Sequence, residues 1–143
     1  MDGIGNLFSG MRASATGLSA ERIRIDVIAR NLANAETTRT PSGGPYRRQV
    51  VHFEPLLRRA QDGSLQSVGV RAARVTDDTS TALEQVFNPS HPDADAKGFV
   101  TMPNVNATRE MADLITAMRA YEANLSAQEA FVRMAEQTLR LAQ

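Results

Sequence analysis

The chain has 143 residues, enough for one domain or a small domain with long helical extensions. Hydrophobic residues make up 42% and aromatics only 5%, with no Trp, which allows folding but favours an elongated shape with thin seams over one dense core. Sixteen basic residues balance sixteen acidic ones and Cys is absent, which argues against a generally basic nucleic-acid surface and excludes disulfides, thiolate metal sites and Cys nucleophiles.

The first residues, Met1-Asp2-Gly3-Ile4-Gly5-Asn6, have no basic n-region followed by an apolar h-region, so no cleaved secretory signal is expected. The apolar positions Phe8, Met11, Ala15, Leu18, Ile25, Ala29 and Leu32 alternate steps of three and four, interrupted by Arg22, and predict a helix from Leu7 to Ala33. Ile23, Val27 and Ile28 lie off that stripe, so the helix is apolar on more than one side and asks for more than one packing partner. Asn34 follows as a candidate left-handed cap.

Residues 35–105 are expected to form a β-rich, irregular middle region between an N-terminal part, 1–34, and a C-terminal part, 106–143. Arg48–Glu54, Ser67–Arg71 and Phe99–Met102 are the best strand candidates for a small sheet. Turn clusters separate them at Pro41–Pro45, Gln61–Ser64 and Asn88–Asp93.

The last helix is predicted from Ala107 to Leu141, with Asn106 as N-cap and Glu110 and Asp113 in turns where the helix dipole favours negative charge. Its seam is Met111, Leu114, Met118, Tyr121, Leu125, Gln128, Val132, Ala135 and Leu139. Ala117, Ala120, Ala123, Ala127 and Ala130 flank it with small side chains that permit close approach of a neighbour. Glu129–Arg133 and Glu136–Arg140 have the spacing of favourable i,i+4 pairs, worth ~0.3–0.5 kcal/mol each. A helix of ~35 residues is ~52 Å long, more than the middle region has material to cover. The two terminal helices are therefore expected to pair with each other and to bury their remaining faces against other chains. Met11, Leu18, Ile25 and Leu32 in the first, with Leu114, Met118, Tyr121, Leu125 and Val132 in the last, are the candidate assembly residues. Asn31, Asn34 and Asn124 read as polar fixers of helix ends or register.

No catalytic constellation is legible. His52 and His91 are far apart and lack ligand spacing. Asp93-Ala94-Asp95-Ala96-Lys97-Gly98 places Lys97 and Asn104 where a calcium loop requires acidic ligands, so a polar turn before Phe99 is the plainer reading. No phosphate loop or dinucleotide fingerprint occurs. The doublets Arg47-Arg48 and Arg58-Arg59 lack an aromatic platform and suit intersubunit ion pairs or plain solvation. No cofactor is implied.

Asn31-Leu32-Ala33-Asn34-Ala35 near one end, and Val105-Asn106, Glu110-Met111 and Arg119-Ala120-Tyr121-Glu122-Ala123-Asn124 near the other, resemble the paired signatures of the bacterial flagellar axial proteins, the rod and hook family. Gly43-Gly44-Pro45-Tyr46-Arg47-Arg48, His91–Asp95 and Met102–Asn106 narrow the resemblance to its proximal-rod branch. Glu36 stands where relatives usually have Asn, and Gln128 where a seam aromatic is common, with Phe131 one turn on. The resemblance implies a mainly α protein whose terminal helices form a coiled-coil-like inner, tube-forming domain. It implies export through the flagellar type III apparatus and helical hetero-oligomeric assembly into a torque-transmitting rod across the periplasm. Its implied partners are other proximal-rod proteins, the membrane-ring adaptor and the distal-rod protein, with neither nucleic acid nor a membrane span involved. A secreted coiled-coil binding module is the alternative, sharing the helices without needing the Asn31–Asn34 signature or the Gly43–Tyr46 turn.

Overall fold

The computed structural model describes residues 2–60 and 63–141, with side chains described over 8–60 and 63–140. Two long helices, α1 (Asp2–Ala33) and α2 (Ala107–Leu141), enclose four strands: β1 (Gln49–Arg59), β2 (Leu65–Asp77), β3 (Glu84–Phe87) and β4 (Phe99–Met102). The protein is mainly α, with a small β-containing middle, as the pattern predicts. α2 has its predicted bounds, and the Asn106 carboxamide accepts the Arg109 amide at 2.9 Å as an N-cap. α1 starts five residues before the predicted Leu7, continuing through Gly3 and Gly5 despite the low helix propensity of glycine.

The two helices pack antiparallel. Gly10 lies against the Phe131 ring, Gly17 against the Asn124 carboxamide, and Asn31 against Glu110. Up α1 and down α2 these contacts recur at multiples of seven residues, about two turns, so one face of each helix stays against the other. A Cβ at Gly10 would stand 2.5 Å from the Phe131 ring, and one at Gly17 2.9 Å from the Asn124 oxygen. The glycines are the holes that let the helices approach. Ala117, between Asn124 and Glu110 in the same seven-residue series, is fully buried.

This contact differs from the predicted seams. The buried residues of α1 among those described are Ser14, Gly17, Ala20, Val27, Ile28 and Asn31. Met11, Leu18, Ile25 and Leu32 flank it, half-buried. On α2 the contact is made by Glu110, Asn124 and Phe131, with Ala117 buried between them, while Met111, Met118, Leu125, Val132 and Leu139 of the apolar seam are exposed.

The middle forms two separate antiparallel ribbons, β1–β2 and β3–β4, rather than one sheet. β1 and β2 extend beyond the predicted runs, and β3 was not predicted. The β1–β2 register shifts between His52 and Phe53 and again between Leu56 and Leu57. Pro55, which has no N–H to donate, lies between the two shifts. The ribbon lies on α1, where the Val70 amide donates to the Thr16 hydroxyl at 3.2 Å. β3–β4 carries Phe87 and Phe99 edge to face at 5.3 Å. Asn34 is no left-handed cap, since no described non-glycine residue has positive φ. Its carboxamide instead donates to the Arg30 carbonyl at 2.9 Å, which satisfies the helix end without backbone strain. Of the two expected helix pairs, Glu129–Arg133 forms at 3.8 Å. Among the described residues Glu136 and Arg140 make no ion pair, consistent with how little a solvated pair gains.

Gly17→Ala is expected to lower stability by about 1–2 kcal/mol, because overpacking against Asn124 outweighs a helix-propensity gain of about 1 kcal/mol. With Asn124→Ala alongside, the same change should become neutral or stabilising. Urea denaturation of the four chains measures this coupling.

Candidate functional site

The polar centre of the molecule joins α1, α2 and β1. Asn31 is 1% exposed and uses its full hydrogen-bonding capacity. Its carbonyl accepts the Tyr46 hydroxyl at 2.9 Å and the Gln49 amide at 2.8 Å. Its NH2 donates to the Gln49 carbonyl and to Glu110 Oε2, both at 2.9 Å. Asn31 thus pairs with Gln49 as a neighbouring strand would, and fixes where β1 begins.

Glu110 is also 1% exposed. Arg48 Nε donates to its Oε1 at 2.6 Å, and a second Arg48 nitrogen lies 3.7 Å from Asp113. Burying a carboxylate costs several kcal/mol, recovered only by good geometry and full hydrogen bonding. Both oxygens of Glu110 are occupied, so the charge holds three elements in one arrangement. Burial pushes the Tyr46 phenol above its ordinary pKa, against the pull of Arg30, so it stays a neutral donor to Asn31.

A second layer holds Arg48. Its amide donates to Asn104 Oδ1 at 2.7 Å, and its carbonyl accepts the Asp78 amide at 2.7 Å. The Asn104 NH2 donates to the carbonyls of Asp78 and Thr81 at 3.0 and 3.1 Å. Asp78 accepts the hydroxyls and amides of Ser80 and Thr81, which hold its carboxyl far below the usual range. The loop leading into β1 turns at Gly43 and Gly44, with φ of +88° and +74°, a conformation that side-chain-bearing residues rarely adopt. That turn delivers Pro45, Tyr46 and Arg48 to the helices, and Arg47 points to solvent. Thr38 and Arg39 tie the same loop to Asp93, at 2.7 and 3.8 Å.

Of the sequence-selected residues, Asn31, Tyr46 and Arg48 meet in this lock. Asn106 caps α2 beside it, and Asn124 fills the space at Gly17. Leu114 and Tyr121 are half-buried; Met118, Leu125 and Val132 are exposed, as are Ala33, Glu122 and Ala123. Sequence reasoning missed the Arg48–Glu110 pair. Arg48 suits intersubunit or solvent contact, and Glu110 the helix dipole and the C-terminal motif, when each is read in its own stretch; 62 residues separate them, and no local signal joins them. Asn104 was likewise seen only within a motif. His52 Nε2 pairs with the Thr76 hydroxyl at 2.8 Å, and His91 Nδ1 accepts the Asp93 amide at 3.1 Å. Among the described residues, no group of three His, Cys, Asp or Glu is placed to hold a metal ion, and no helix is long and apolar enough to cross a membrane.

The antiparallel terminal helices carry the stretches that match flagellar basal-body rod families. Residues 11–39 match the family model described as flagella basal body rod protein, and residues 96–141 the model described as flagellar basal body rod FlgEFG protein C-terminal. A Borreliella burgdorferi protein, flagellar basal-body rod protein FlgC, is 46% identical, covering 82% of this chain and 86% of its own. Relatives of the same name from Yersinia enterocolitica and Bacillus subtilis are 41% and 37% identical, covering 91% and 94% of this chain and 93% and 97% of their own. The chain belongs to the FlgC family of flagellar basal-body rod proteins. The lock spans both matched regions: Asn31 lies in the first, Glu110 in the second, and Tyr46 and Arg48 between them.

Arg48→Met is expected to cost about 3–5 kcal/mol by leaving Glu110 buried and unpaired, and Glu110→Leu in the same chain should recover much of that loss. Thermal and urea unfolding of the single and double variants gives the comparison. A lowered folded pKa at Asp78 means stabilisation present above its unfolded value near ~3.9 and lost as pH falls below it. Asp78→Asn should therefore flatten the acid limb of the stability–pH curve, read from unfolding midpoints between about pH 5 and 2.

Proposed function

We propose that the chain is a structural subunit of the proximal rod of the flagellar basal body, assembling helically with other rod proteins into a channel-bearing drive shaft. Family membership supports a rod subunit. The observation that carries assembly is the unsatisfied outer seam of α2. Met111, Met118, Leu125, Val132 and Leu139 remain 41–69% exposed, on a helix whose opposite face is packed on α1. Large apolar side chains left exposed at every second turn are a liability in water and mark a surface for another protein. The half-buried Met11, Leu18, Ile25 and Leu32, with Leu114 and Tyr121, are the flanking positions that neighbours would complete.

Its role is mechanical rather than catalytic. Several helix seams in parallel resist shear where one would yield, which suits torque transmission. The thin core suits export as well: the buried apolar residues among those described are Ala20, Val27, Ile28, Val100 and Ala117. A chain with so little internal burial passes unfolded through a type III export channel at small cost and gains order when neighbours cover it. The expected neighbours are other proximal-rod proteins, the membrane-ring adaptor and the distal-rod protein. The expected place is the rod segment crossing the periplasm.

Leu125→Asp introduces a charge at the centre of the outer seam without touching the lock. The variant should express and fold like the parent, yet abolish motility and be missing from purified basal bodies seen by electron microscopy. Normal swimming by this variant would contradict the proposal.

A further inference from the structure

Beside the lock, a cleft of about 220 Å³ runs between α1 and β1 and opens to solvent. Val27 and Ile28 of α1, both buried, line one side, and Val50, Val51 and Phe53 of β1 the other. Phe53 is 39% exposed, so it stands where the cleft meets solvent. Arg24, Arg48, Gln49 and Asp113 supply polar lining. The cleft lies apart from the close helix–helix contacts at Gly10 and Gly17.

The lock leaves Gln49 unfinished. Its backbone amide and carbonyl are both taken by Asn31. Its side-chain nitrogen donates to Asp77 Oδ1 at 3.5 Å. A carboxylate only accepts, so that contact fixes which end of the carboxamide is nitrogen. The other end, Oε1, is buried and has no hydrogen-bond partner among the described residues. A buried acceptor without a donor carries a desolvation cost that an incoming donor removes. The cleft that Gln49 lines is the way in for such a donor.

Charge and shape narrow what that group can be. Arg24 lies 3.8 Å from Glu21, and Arg48 is held by Glu110 and Asp113 at 2.6 and 3.7 Å. Two guanidiniums repel a cationic tip. A carboxylate would set its charge near Asp113 and bring Gln49 Oε1 no proton. The apolar walls ask for an apolar body. A neutral donor on an aromatic ring meets every demand, and Phe53 offers that ring an edge-to-face partner. The phenol hydroxyl lies at the far end of its ring and reaches a buried acceptor end-on, whereas an indole N–H lies on the side. A second copy has no such group to give. The chain has two Tyr and no Trp; Tyr46 donates to Asn31, and Tyr121 is half-buried on α2.

We propose that this cleft is an anchor site for a tyrosine side chain of a different protein. The ring lies between Val27 and Ile28 on one side and Val50 and Val51 on the other, and its hydroxyl donates to Gln49 Oε1. An aromatic anchor sunk in a preformed pocket is a common energetic centre of an interface. Nothing in the geometry of the cleft depends on the rod reading.

For the test, nitrogen-15-labelled full-length chain is titrated with p-cresol, which is the tyrosine side chain as a small molecule. Toluene, skatole and n-butylguanidinium serve as comparisons, and amide NMR shifts locate and measure binding. p-Cresol should move the amides of residues 27–31 and 49–53 saturably and bind more tightly than skatole or n-butylguanidinium. Its advantage over toluene should be at least about fivefold, as expected of one hydrogen bond to a buried acceptor. Gln49→Met removes the acceptor and leaves the backbone bonds to Asn31, and should bring p-cresol within about twofold of toluene. Circular dichroism confirms that this variant folds, and the comparison with toluene on the parent chain decides without it. Shifts centred elsewhere on the chain, toluene binding as tightly as p-cresol, a preference for skatole or n-butylguanidinium, or a p-cresol advantage that survives Gln49→Met would each overturn the inference.

Discussion

The fold turns on one buried carboxylate. Glu110 sits in the first turns of α2, where exposed acids are common and cost little, yet here it is sealed from water. Its charge is tolerable only because Asn31 on α1 and Arg48 before β1 both reach it. Elements far apart in sequence are thereby fixed at one point. Asn31 in turn sets the start of β1 through the Gln49 peptide, and the Gly43-Gly44 turn positions Tyr46 and Arg48. Buried charge of this kind is a poor source of net stability; it specifies which arrangement forms and penalises misaligned ones.

From the lock the helices extend away with progressively less support. Near it lie the buried Val27, Ile28 and Ala117, with Val50 and Val51 of β1 close by. Farther along, the pair is held by small-residue contacts at Gly17 and Gly10, and much of α2 beyond Phe131 is exposed. A subunit built this way is specified at one end and incomplete at the other. Its outward faces are the counterpart of that incompleteness: surface left uncovered within one chain is surface offered to the next.

Much of the scaffold was legible because periodicity and capping are local signals. The bounds of α2, the Asn106 cap and the Phe99–Met102 strand follow from adjacent residues. The terminal motifs, read together, were specific enough to give the family. What escaped was non-local or depended on close approach. The apolar stripes marked Met118, Leu125 and Val132 as assembly positions but did not show that the two helices of one chain meet at Gly10 and Gly17, against Phe131 and Asn124. Tyr46 and Arg48 read locally as a turn motif and the start of a strand, yet they are two of the four groups that build the lock, because hydrogen bonds across 15 and 62 residues leave no periodic trace. β3 is four residues long, and all of them are exposed, so it lacked the alternation that reveals a strand.

Native-state hydrogen exchange on the isolated full-length chain tests the central claim most directly. If the Asn31–Arg48–Glu110 lock anchors the helix pair, amide protection should be greatest around residues 24–31 and 110–117 and fall steadily toward 8–14 and 131–139. Protection as strong at the far ends as at the lock, or rapid exchange beside Glu110, would contradict it.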